Sequence, residues 1–258
     1  MALTFINTEK NFIISETVIT SETLINAAKR TNAYLVALSN MFSELHFDIF
    51  YSLGQRNLSG FVGEVYKSIL SDQVKPFEPN PHPDGRPDIL SLDTQRLLTY
   101  YQKCFELKNG RPIPLKSSFS PFKFGGLEVK CCIGESSDKQ KKSYSLEHDG
   151  NGFDLYCPRV GYINNINWWA HHANSTALLG LYYDYYSQNS NIPQVLAGFY
   201  SVLSSDDWQK VSVGKAESKK TSNTSLNKTG KQKMKSNCVF YCSDPEYVEQ
   251  FKKMKISL

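Results

Sequence analysis

The sequence predicts an α+β domain built on a mixed central β-sheet flanked by helices, and three observations carry the prediction. Apolar residues recur at spacings of three, four or seven between Leu24 and Ile49, the period of a helix. Phe124–Gly134 is mostly apolar and β-branched between glycines, as a buried central strand requires. Leu178–Tyr186 and Gln194–Tyr200 read as two further strands, joined through Asn189-Ser190-Asn191. No internal repeat is present, and 258 residues suffice for one sizeable core, with or without an appended subdomain.

Taken in order, the first twenty residues are irregular, with Thr, Ser and Asn among single apolar residues. Leu24, Ala28, Leu35, Leu38, Phe42, Leu45 and Ile49 then draw one stripe. It is short for a coiled-coil seam and reads better as a helix or helical hairpin on its own core. Residues 1–56 are thus an N-terminal helical region packed on a domain of residues 57–258. Ser59 suits the N-cap of a helix that turns Phe61, Val62, Val65, Ile69 and Leu70 inward, with Glu64 among them. Pro76, Pro79, Pro81 and Pro83 force an extended path into a short strand at Asp88–Leu92. Asp93 caps a helix over Thr94–Asn109, stopped by Gly110. Ser136–Asn151 reads as polar and mobile, and Trp168–His172 as the opening of a helix. Cys238–Cys242 is a strand, followed by a short helix with Asp244 as N-cap and Pro245 at its first position.

Composition narrows the class. The chain is 40% hydrophobic and 21% charged, with mean hydropathy −0.40. No run approaches the roughly 18 apolar residues of a membrane span, and residues 1–15 lack the charged-then-apolar pattern of a secretory signal. Six cysteines are too few for a disulfide scaffold, and Cys131 and Cys132 are adjacent, so reduced thiols in a cytoplasm are expected. The net charge of +4 is uneven. Lys210 to Lys235 holds eight lysines and one acid, whereas the remaining chain carries 21 basic and 24 acidic residues. Such a segment is either a solvated loop or the contact for a polyanion.

The informative constellation is Pro87-Asp88 followed by Glu128-Val129-Lys130. Mg²⁺ takes oxygen ligands and keeps waters, so a metal nuclease needs two converging carboxylates. A nearby lysine supports the attacking hydroxide or the charge at phosphorus. Two residues apart on a strand, Glu128 and Lys130 share a face, while Val129 and Cys131 face the core and the Val129 carbonyl is free as a third ligand. Glu106-Leu107-Lys108 has the same pattern, but at the end of a helix its acid and lysine diverge by about 200°. Glu128 otherwise serves as a buried ion-pair partner of Lys130 or Arg86. Glu64, in Gly60-Phe61-Val62-Gly63-Glu64, is either a member of the metal site or an acid favoured by the first-turn dipole.

The order Glu64, Gly85-Arg86-Pro87-Asp88, then Gly126-Leu127-Glu128-Val129-Lys130-Cys131 resembles the PD-(D/E)xK nuclease superfamily, specifically a type II restriction endonuclease. The resemblance covers about a third of the chain, Ser59 to Gly134. The 39 residues between Asp88 and Glu128 are more than is usual there, which makes the Thr94–Asn109 element an insertion or a DNA-contacting element. The resemblance implies a restriction-endonuclease-like core in which Asp88 and Glu128 bind one or two Mg²⁺ ions, with Mn²⁺ as a substitute. Lys130 would assist the attacking water and Glu64 would join the metal site. It further implies sequence-specific cleavage of double-stranded DNA to 5′-phosphate and 3′-hydroxyl ends, in the cytoplasm of a bacterial or archaeal host. A homodimer is compatible with it, and a cognate methyltransferase is a genetic rather than physical partner. A repair nuclease of the same fold, or a DNA-binding protein without cleavage, are the alternatives.

His171 and His172, beside Trp168 and Trp169, either contact phosphate or occupy a helix surface and core. Cys238 and Cys242 could join them around zinc, but a lone Cys-x₃-Cys is weak and no zinc is expected. In the basic segment, Lys219, Lys220, Lys228, Lys231, Lys233 and Lys235 alternate with polar residues, and Asn223 and Asn227 are candidates for base contacts.

Overall fold

The computed structural model describes residues 3–147, 157–170, 173, 176–186, 191–213 and 222–258, with the backbone alone at Arg56, Ser212, Val213 and Ser222. The chain opens not irregularly but with three short strands, β1 (Phe5–Asn7), β2 (Asn11–Ile14) and β3 (Thr17–Thr20). β2 and β3 pair as a hairpin that buries Ile14 and Ile19 and exposes Ile13 and Val18. That alternation has period two, and the polar residues scattered through it hide it from a helix-oriented reading.

Helix α1 (Ser21–Ser43) starts on Thr20, whose side chain accepts the Thr23 amide. Helix α2 (Ile49–Gln73) starts on Asp48 in the same way. The stripe read from the sequence therefore belongs to two helices, and Leu45, between them, is exposed. Gly54 kinks α2 with a φ of 64°. Ser59 lies inside α2 and caps nothing; its hydroxyl meets the Gln55 carbonyl and the Tyr183 hydroxyl. The expected boundary between residues 56 and 57 falls within this helix.

The proline-rich loop joins β4 (Phe77–Pro79) to β5 (Ile89–Ser91), and a small insertion follows: α3 (Gln95–Gln102), β6 (Phe105–Lys108), β7 (Arg111–Pro114) and α4 (Lys116–Phe119). A single helix over Thr94–Asn109 does not form. Thr94 caps α3 after which the chain reverses, and Asn109-Gly110, both at positive φ, turns β6 back into β7. An Asn-Gly turn between extended residues is a hairpin signal, here mistaken for a helix stop. β8 (Leu127–Cys132) is the predicted central strand, and α5 (Asp138–Glu147) replaces the expected mobile stretch over its described part. Over the described part of Trp168–His172 no helix opens: Trp169 and Ala170 form β9 (Trp169–Ala170). The two long strands are β10 (Thr176–Tyr185) and β11 (Pro193–Leu203). The chain ends through β12 (Ser212–Val213), β13 (Ser222–Ser225), α6 (Lys228–Lys235), β14 (Cys238–Cys242) and α7 (Pro245–Lys253). Asp244 caps α7 and Pro245 opens it, as the sequence predicts.

The central sheet has seven strands in the order β1-β14-β11-β10-β8-β5-β4. Only the β8–β10 pairing is parallel, so the sheet is mixed and the domain α+β. β10 is mostly apolar, with Asp184 as its buried acid, because both faces are covered. Leu179, Leu181 and Tyr183 meet Leu24, Val62 and Tyr66 of α1 and α2. Leu178 and Tyr182 meet Trp168, Met234 and Phe251 on the opposite face. Gly180 admits the Trp168 indole directly onto the strand; a Cβ there would overlap the ring. A third cluster, with Leu90, Leu97, Phe119 and Phe122, holds the insertion together. Among the described residues no helix is long and apolar enough to cross a membrane.

Candidate active site

β5 pairs with β8 at one position only, Ile89 opposite Leu127. Gly126, at φ 150°, makes that approach feasible, because any Cβ would collide with the Ile89 carbonyl and the Pro87 ring. Beyond Leu127 the two strands diverge and the edge of β8 opens. Asp88, one residue before β5, fills the first rung of the gap: its Oδ2 accepts the Val129 amide at 2.8 Å. The N–H and C=O of a strand residue point to the same side, so the Val129 carbonyl also faces the gap.

Asp88, Glu128 and Lys130 meet here. The Lys130 ammonium lies 2.6 Å from Glu128 Oε1 and 3.2 Å from Asp88 Oδ2. Glu128 is only 7% exposed, and its Oε2 is buried without a hydrogen-bond partner. An unmatched buried carboxylate oxygen costs free energy on the order of 1–3 kcal/mol. Burial raises the Glu128 pKa, the Asp88 charge raises it further, and Lys130 opposes both. Burial works against the Lys130 ammonium, but Asp88 and Glu128 outweigh it and raise its pKa. Lys130 thus bridges the two carboxylates as their shared cation. Val129 packs inward with the α2 core, and the partly buried Cys131 beside it, as expected of alternate strand positions.

A cleft of about 590 Å³ is lined by Asp88, Val129 and Lys130, with the buried Glu128 behind them and not among its lining residues. One wall is α2, through Ser59, Gly63, Glu64 and Lys67. Glu64 is exposed and paired at 2.5 Å with Lys67, one turn on. Among the described residues no three His, Cys, Asp or Glu side chains gather as a metal-binding group, so the acidic centre is a pair of carboxylates. A second cavity, of about 400 Å³, continues from Glu64 and Asp88 beneath the proline-rich loop. Glu106 is exposed on β6 and lines neither cavity. Being on a strand, Glu106 and Lys108 do share a face; position, not divergence, removes them from the cleft.

The far wall carries residues that the sequence reading missed. Glu135, just past β8, accepts hydrogen bonds from Asn165 and Asn167, and the buried Asn167 Oδ1 has no partner. Trp169 lines the cleft and is 58% exposed. Their only sequence signal is an acid directly after Gly134, two residues beyond the end of β8. Asn223 also lines the cleft, delivered by the pairing of β13 with β9.

The basic segment divides. Lys219 and Lys220, like His171 and His172, lie outside the described residues. Asn227 is the N-cap of α6: its Oδ1 accepts the Gly230 amide and its Nδ2 donates to the Asp206 and Trp208 carbonyls. Lys233 is tied to the buried Asp207 at 2.7 Å and Lys235 to the Met254 carbonyl. Lys228 is exposed and Lys231 half-buried. Cys238 and Cys242 are buried at the two ends of β14, and burial pushes both thiols up to about 12.

Comparison with family models, with curated proteins and with solved structures returns no match for this chain.

Proposed function

We propose that this protein is a Mg²⁺-dependent endonuclease of the restriction type, acting on double-stranded DNA, with a restriction-endonuclease-like core. The carrying observation is a lysine clamped between two carboxylates on the open edge of a central strand, with one buried carboxylate oxygen unpartnered. A purely structural ion-pair cluster has no use for that oxygen or for the cleft.

Asp88, Glu128 and the Val129 carbonyl form an all-oxygen donor set of the kind hard cations take, and Mn²⁺ would substitute. When bound, the ion supplies Lewis acidity toward the phosphodiester and lowers the pKa of attacking water. Lys130 donates hydrogen bonds to the nucleophile and to the charge that builds on the phosphate oxygens. Glu64, across the cleft, orients water. Cleavage leaves 5′-phosphate and 3′-hydroxyl ends, and a homodimer would place two such centres on two strands. A cognate methyltransferase is the genetic partner this reading implies.

Supercoiled plasmid incubated with Mg²⁺ or with EDTA is the test. Discrete bands with Mg²⁺, lost in EDTA and in Asp88→Ala and Glu128→Ala, are expected, with DNA binding kept within about tenfold. Branch-specific cutting instead marks a repair nuclease, and unchanged plasmid marks a binding protein.

A further inference from the structure

Among the described residues the β6–β7 hairpin pairs with no other strand, and its residues Glu106 to Ile113 are all exposed. Leu107, 80% exposed, contributes nothing to the core. Cross-strand register sets Lys108 opposite Arg111 at the tip, and Glu106 opposite Ile113 behind them. Residues 94–124 carry six basic residues and one acid, a second cationic surface distinct from the lysine-rich segment. Among the described residues, Lys103, Lys108 and Arg111 have no carboxylate within ion-pair distance.

The root of the hairpin is bound to the catalytic loop. Lys116 pairs with Asp84 at 2.7 Å, the Ser120 hydroxyl donates to the Asp84 carbonyl, and the Arg86 amide donates to the Phe119 carbonyl. Asp84 and Arg86 lead directly to Asp88. The arm is therefore held in register with the carboxylate pair. Strands of four residues project about 13 Å, enough to span a major groove about 8.5 Å deep and about 12 Å wide, which admits a two-stranded ribbon.

We propose that this hairpin is a DNA-contacting arm that enters the major groove of the duplex lying across the cleft, with Lys108 and Arg111 at its tip. The proposal rests on the nuclease reading above. Positive charge without acid partners fits a polyanion, and a rigid root beside Asp88 sets where along the duplex the arm touches.

Fluorescence anisotropy of a 30-base-pair duplex in EDTA, over a salt series, tests it. Lys108→Ala/Arg111→Ala should lower the slope of log affinity against log salt by about 2, since each phosphate contact contributes about 0.9. Affinity should fall more than tenfold with the melting temperature unchanged. A trimmed variant with residues 106–113 replaced by Asn-Gly should behave alike. Bulky groups on the pyrimidine 5-positions, which project into the major groove, should weaken the wild type more than the trimmed variant. If both variants keep the wild-type slope and affinity, or modified DNA weakens all proteins equally, the arm is overturned while the nuclease reading stands. If the wild type itself neither binds nor cuts duplex DNA, both readings fall together.

Discussion

Replacing Lys130 by methionine keeps the aliphatic stem and deletes the charge that joins Asp88 to Glu128. Removing one partner of a fully buried pair costs about 3–5 kcal/mol. Here Lys130 and Asp88 retain 27% and 20% side-chain exposure, so solvent screening reduces the expected cost to about 2–3 kcal/mol. At about 2–4 °C per kcal/mol for a chain of this size, the melting temperature in EDTA should drop by about 5–10 °C. A divalent cation replaces the missing ammonium. With a Kd on the order of 1 mM, as a two-carboxylate site would give, 10 mM Mg²⁺ stabilises by RT ln 11, about 1.4 kcal/mol, or about 3–6 °C. Differential scanning fluorimetry should show that rise in the wild type and a larger one in Lys130→Met. Asp88→Asn and Glu128→Gln should show none. The reasoning is refuted if Lys130→Met is as stable as the wild type in EDTA, or if Mg²⁺ stabilises the carboxylate variants equally.

Glu64→Gln removes an exposed ion pair worth about 0.5 kcal/mol at most; melting should move by less than about 2 °C while cleavage falls more than tenfold, and an unchanged rate assigns Glu64 to the helix surface. Gly126→Ala forces a Cβ onto the Ile89 carbonyl at positive φ and should cost about 3 kcal/mol, read by thermal melting together with loss of the Mg²⁺ shift. Asp184 is buried beneath the Arg159 and Tyr185 amides and the Tyr182 and Tyr247 hydroxyls, and burial pushes its carboxyl from 3.8 up to about 6. Between those values the folded state holds a proton that the unfolded chain releases, so this group's contribution is full below about pH 4 and is lost as pH rises through 6, about 3 kcal/mol in all. Denaturation from pH 4 to 7 should show the stability of the wild type falling by most of that amount, about 2.5 kcal/mol, relative to Asp184→Asn, and parallel curves would show that Asp184 ionises like an ordinary carboxylate.

The centre of the site was legible because its elements are local. A strand places every second side chain on one face, so Glu128 and Lys130 share a face wherever the strand lies, and Val129 must turn inward. The α+β class, the long strands β10 and β11 and the Asp244-Pro245 start of α7 followed from periodicity and capping chemistry in the same way. Errors came where two local signals compete. Asn109-Gly110 serves equally as a helix stop or a hairpin turn, and only the pairing of Phe105–Lys108 with Arg111–Pro114 decides between them.

What the chain by itself determined, then, is which side chains can stand together along one strand or one helix turn. The tertiary structure alone decided which distant segments meet. Asp88 reaches Glu128 because Gly126 lets β5 touch β8 at one position and then part. Glu64 turned toward Lys67, Asn227 was committed to capping α6, and Trp169, Glu135 and Asn223 came together as a cleft wall from segments up to 88 residues apart. Contacts across such separations depend on strand order and register, which no pattern within a short window encodes, because the free energy that selects them is the burial of both faces of the whole sheet.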